Sequence, residues 1–155
     1  MNKFTLILLI PIIFITSCNT PISKTPISQP LPSPSGAWSV KMTQSGGIAG
    51  VLLTVEVNSD GQLNAEDQRS HRSISRILST QTTDELKLLI FNMPVSGNRL
   101  PQTRCADCFI YDLEIHAKGK NLEIQVDDVS MKDSGAQELI SNLIMIRDGA
   151  LKPSP

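Results

Sequence analysis

The chain has 155 residues, of which 40 % are apolar and only 4 % aromatic, with 14 Lys and Arg set against 15 Asp and Glu. That length suits one ordinary domain around a single core, and a formal net charge of −1 argues against a nucleic-acid partner, which needs a clustered Lys/Arg surface. No phosphate-loop, dinucleotide-binding, zinc-protease or nucleophile-elbow string occurs.

Lys3 is the only charged side chain before Lys24, and the first acidic residue is Glu56. Between them, residues 4–15 are apolar apart from Thr5 and Pro11. Such a run is too short to span about 30 Å of hydrocarbon as a helix and matches a secretory signal peptide. It ends in Ile15-Thr16-Ser17-Cys18, which resembles the lipobox of bacterial lipoproteins. The resemblance implies cleavage after residue 17 and acylation of Cys18. Each buried methylene contributes about 0.8 kcal/mol, so two or three acyl chains anchor firmly. The expected location is extracytoplasmic, lipid-anchored in the cell membrane or outer membrane, with the membrane itself as a partner. Residues 18–36 then hold five of the ten prolines, with Ser and Thr between them and Lys24 as the only charge. This segment reads as a Pro/Ser/Thr-rich tether with polyproline II character, reaching roughly 55 Å when extended.

Residues 37–150 read as the folded domain, with a disordered tail at 151–155; from Ala37 onward the chain carries 12 Lys and Arg against 15 Asp and Glu. Trp38 to Thr43 alternates apolar and polar residues, as a half-buried strand does. Ser45-Gly46-Gly47 is a turn, and residues 50–57 are a β-branched strand closed by Asn58-Ser59-Asp60-Gly61. Residues 62–75 are polar and ambiguous, with a short strand around 74–78. Thr82 to Glu85 resembles a capping box ahead of a helix over 84–91, with Leu86, Leu89, Ile90 and Met93 as its apolar stripe and Pro94 as its stop. Residues 95–104 are a polar loop. Phe109, Tyr111, Leu113 and Ile115 alternate with outward residues in a clear strand, turned back at 117–120 into a partner with Leu122, Ile124 and Val126 inward. Ser134 is the expected cap of a second helix with Ala136, Leu139, Ile140, Leu143 and Ile144 on one side, ending at Gly149. The expected class is α+β: a small antiparallel sheet of four or more strands with two amphipathic helices packed on one face.

Few residues suggest chemistry. Cys105-Ala-Asp-Cys108 is half of a four-ligand zinc pattern; His71 and His116 could complete a set, but His116 sits in a strand at no recognised ligand spacing. A redox motif would open a helix, whereas this one leads into a strand. In an oxidising compartment the pair reads as a local disulfide or as two free thiols. Asp127, Asp128 and Asp133 read as a solvated acidic loop near a helix start in preference to a cation site. No Ser/His/Asp trio stands out. The expectation is a protein that is not an enzyme, with no catalytic residue, metal or cofactor.

Taken in order, Ser45-Gly46-Gly47-Ile48-Ala49-Gly50, the Leu-rich helix ending near Met93-Pro94, Asp107-Cys-Phe109-Ile-Tyr111 followed by Leu113 and Ile115, and the closing Leu139-Ile140-x-x-Leu143 resemble emfourin, a proteinaceous inhibitor of protealysin and related thermolysin-like metallopeptidases. The likeness runs from Trp38 to Ile146. It implies a small α+β inhibitor without a cofactor whose partner is a secreted or surface metallopeptidase. The lipid anchor, the tether and the Cys105/Cys108 pair are additions to that pattern. The alternative is a non-catalytic lipoprotein module that binds or supports other components and shares only the fold. Since a protease cleft admits protruding backbone, the candidate inhibitory loops are the Gly46-Gly47 turn and residues 95–104, with Arg99 and Leu100 as their side chains to test.

Overall fold

The computed structural model describes residues 36–94 and 105–152. Cys18, the leader and most of the tether lie outside the described residues, as do Arg99, Leu100 and residues 153–155.

Among the described residues, six strands form one antiparallel sheet, and two α-helices complete an α+β domain. Strands β1 (Trp38–Gly46), β2 (Val51–Asn58), β3 (Gln62–Asp67) and β4 (Arg72–Ile77) form a meander. Helix α1 (Thr80–Asn92) then carries the chain from that edge back to the middle, where β5 (Phe109–Ala117) pairs with β1 and β6 (Lys120–Asp127) pairs with β5. The order across the sheet is β4-β3-β2-β1-β5-β6. A 3₁₀ turn at Met131–Asp133 precedes α2 (Gln137–Leu151).

The period-2 pattern decides the register. In β1, Trp38, Val40, Met42 and Gln44 are buried while Ser39, Lys41, Thr43 and Ser45 are half-buried. Met42 lies opposite Val55 on one side and Leu113 on the other, and Leu113 faces Ile124. A shift of one residue would turn every one of these side chains out of the core. The strand residues Val40, Met42, Val57, Leu63, Leu113 and Val126 belong to one buried cluster with Leu86 and Ile90 of α1 and Leu139, Ile140 and Leu143 of α2. Tyr111, Leu113 and Ile115 are buried as the alternation predicts, while Phe109, at the strand's start, is half-buried.

Several expected boundaries are corrected. The ambiguous stretch 62–75 is β3 followed by a turn and β4, and β4 ends at Ile77, short of Leu78. Its six residues are all exposed, unlike those of β6 at the other edge, which buries Ile124 and Val126, so no buried face marks β4 in the sequence. Strand β1 runs on to Gly46, and Gly50 belongs to the turn instead of opening β2. Helix α1 starts four residues early, at Thr80. Its cap is Ser79, whose hydroxyl accepts the Thr82 N–H at 3.2 Å, so the box at Thr82–Glu85 is interior. Ser134 is not the N-cap of α2 either. It follows the 3₁₀ turn, donates its hydroxyl to the Met131 carbonyl at 2.6 Å and accepts the Ala136 N–H at 3.0 Å, while Ala136 takes the cap position. Gly149 does not end α2, which continues through a half-buried Leu151, the first residue expected in the tail. The stop is Lys152 (φ −62°, ψ 137°), where the following proline disfavours helical backbone.

Candidate functional site

The turn between β1 and β2 is built by glycine. Gly46 has φ +90° and Gly47 φ +69°, conformations that an L side chain resists. Both glycines also sit against the start of β5. A Cβ on Gly46 would lie 2.8 Å from the Cys108 carbonyl oxygen, and one on Gly47 would enter the ring of Phe109. That closeness lets the Gly47 N–H donate to the Cys108 carbonyl at 3.1 Å, while the Gly50 N–H closes the turn onto the Gly47 carbonyl at 2.9 Å. Ile48 and Ala49 are left at the apex, and Ile48 is 91 % exposed.

Cys105 and Cys108 are joined by a disulfide across a Cα–Cα distance of 5.4 Å, within the usual span of such a bridge. As a disulfide, the pair offers no thiolate to a metal. The residue after it is held from the other side: the Phe109 N–H donates to Asp128 Oδ2 at 2.8 Å, and the Tyr111 hydroxyl donates to Asp128 Oδ1 at 2.9 Å. Burial, reinforced by the Asp128 carboxylate, pushes the Tyr111 hydroxyl well above the ordinary tyrosine range, so it keeps its proton and the bond. Next to it, Asp127 is only 3 % exposed and accepts the N–H groups of Val129 (3.1 Å) and Ser130 (2.8 Å). The reading of Asp127 as part of a solvated loop is therefore corrected: its carboxylate closes a buried turn.

A third turn lies alongside. Between β3 and β4, Asp67 accepts the Arg69 N–H at 3.0 Å, the Ser70 N–H at 3.3 Å and the Ser70 hydroxyl at 2.7 Å. These bonds, the Ser70 hydroxyl foremost, hold its carboxyl below the usual carboxylate range. His71 takes a left-handed φ of 53°, and the Arg69 guanidinium Nη1 reaches the Gly50 carbonyl at 3.4 Å.

The result is a rim of three linked turns at one end of the sheet: 67–72, 46–50 and 105–109. Of the residues singled out from sequence, the structure brings Gly46 and Gly47 together with Cys105 and Cys108. Sequence reasoning missed Ile48 as the apex side chain, Asp128 as the brace of β5, and the Asp67–His71 turn. The last carried a readable signal in its Asp-x-x-Ser spacing, which favours a carboxylate-capped turn. His116 lies near the opposite end of β5, with Nδ1 2.7 Å from Asn121 Oδ1. Among the described residues no three His, Cys, Asp or Glu converge as a metal site, and no helix is long and apolar enough to cross a membrane. The rim presents hydrogen-bonded turn backbone and one large exposed aliphatic side chain, Ile48. No protein-family model matches the chain, and a search of curated proteins finds no match either.

Proposed function

We propose that this chain is a lipid-anchored, non-catalytic inhibitor of a secreted or surface thermolysin-like zinc metallopeptidase, and that the rim is its binding edge. In this reading Cys18 carries the lipid, residues 19–36 act as a spacer, and both helices cover one face of the sheet. The observation that carries it is the Gly47 N–H to Cys108 carbonyl bond, which ties the turn to the disulfide-closed segment. Inhibitors bury about 800 Å² per partner through segments that hardly move on binding, and order present beforehand lowers the cost of association.

Placement supports the same reading. The tether enters at Trp38 and the rim turn begins at Gly46, opposite ends of a nine-residue strand. At about 3.4 Å per residue the binding edge stands about 27 Å from the point of attachment. A membrane-bound domain built this way can present its rim away from the lipid.

The test is a titration of the whole chain, held in detergent, against a panel of thermolysin-like peptidases, following peptide cleavage. Saturable loss of activity in at least one of them is the expected result. Full activity of every enzyme at a hundredfold molar excess would leave the alternative, a lipoprotein module that shares only the fold.

A further inference from the structure

We infer that Ile48 is the anchor of the interface, its side chain entering a peptidase pocket that takes a single branched aliphatic group. The inference rests on the inhibitor reading above.

The sequence of the turn is Gly46-Gly47-Ile48-Ala49-Gly50, so Ile48 is its only side chain larger than a methyl group. Its side chain stands exposed, open to a partner. At 91 % exposure it is the most exposed of the large apolar residues in the described domain, ahead of Ile77, at the far end of the edge strand, and Met145 on α2. The backbone beneath it is fixed from two directions, by Cys108 at Gly47 and by Arg69 at Gly50. Side chains that dominate interfaces are those that fill a desolvated pocket at the centre of a surrounding ring of polar contacts. Arg69 and Asp107 are exposed polar residues on the two turns linked to this one, available for the rim of such an interface. Burying an isoleucine on a support already ordered corresponds to roughly 10- to 100-fold in affinity.

The experiment measures inhibition constants of the whole chain in detergent for the wild type, Ile48→Leu, Ile48→Ala and Ile48→Asp, with a thermal melt of each. Leu should stay within about threefold of the wild type, Ala should weaken inhibition by roughly 10- to 100-fold, and Asp should weaken it further. All four should melt together, because the side chain contacts almost nothing in the free domain. Wild-type inhibition with Ile48→Asp unchanged would overturn the anchor and leave the inhibitor reading standing. Failure of the wild type to inhibit any enzyme would overturn both.

Discussion

Replacing Gly47 with alanine should cost more than the same change at Gly50, although both residues belong to one turn and both have left-handed backbone, φ +69° and +57°. The backbone penalty is shared: an L residue in this region costs roughly 1–2 kcal/mol. The surroundings differ. At Gly50 the new methyl would meet only the Arg69 Nη1 at 3.8 Å, an ordinary contact with the end of a flexible side chain. At Gly47 it would occupy the edge of the Phe109 ring, which packs against the core cluster. The ring must leave its rotamer, at about 0.5–1.5 kcal/mol, and the Gly47 N–H bond to Cys108 is stretched, with a net worth of about 0.5–1.5 kcal/mol. Gly47→Ala should therefore be less stable than Gly50→Ala by about 1–3 kcal/mol, read from urea unfolding followed by circular dichroism. Equal losses would mean that Phe109 yields freely and that the turn is not braced against β5.

Three further outcomes follow from the same structure. Leu113→Ala should cost about 2–5 kcal/mol in urea unfolding, the range for a buried leucine, while Glu114→Ala, exposed and 3.9 Å from Lys41, should cost under about 1 kcal/mol; a reversed order would invert the register. The Asp67 carboxyl has a folded pKa below its unfolded value, so the ionised form contributes stability above the ordinary carboxylate pKa, and that contribution is lost as pH falls through the folded value. Asp67→Asn should accordingly melt below the wild type at pH 7, with the gap narrowing at pH 2; a constant gap would contradict the assignment. Finally, radiolabelled palmitate should enter the wild type and not Cys18→Ala, and equal labelling of both would remove the anchor.

Legibility in the sequence followed burial. Strand β5 was readable because Tyr111, Leu113 and Ile115 are buried and separated by exposed or half-buried residues, which prints the period on the chain. Strand β4 was legible only in part, as a short strand around 74–78, because six exposed residues leave no inward face to print. Helix stripes were legible for the same reason as β5, while their caps were misplaced: Thr82 and Ser134 have the right chemistry, but Ser79 and Ala136 hold the positions. Such choices turn on where neighbouring chain leaves room, which local spacing does not carry. Arg147 illustrates the limit. It lies on the buried side of α2 at 2 % exposure, its Nε and Nη2 bonded to Asp148 at 2.9 and 2.8 Å, in a place where composition alone would put a solvated cation. The rim was half legible, since paired glycines announce a tight turn, yet its union with Cys108 and Arg69 joins residues about 20 to 60 positions apart and exists only in the folded sheet.

The central claim is that the three linked turns form the binding edge. The most direct measurement is backbone amide chemical-shift mapping of the isotope-labelled chain as a catalytically inactivated thermolysin-like peptidase, drawn from those it inhibits, is added. The account predicts changes concentrated at residues 46–50, 67–72 and 105–109, with α1, α2 and the β5–β6 hairpin turn at 117–120 unmoved. Changes centred on the helices or on the 117–120 end, with the rim silent, would contradict it.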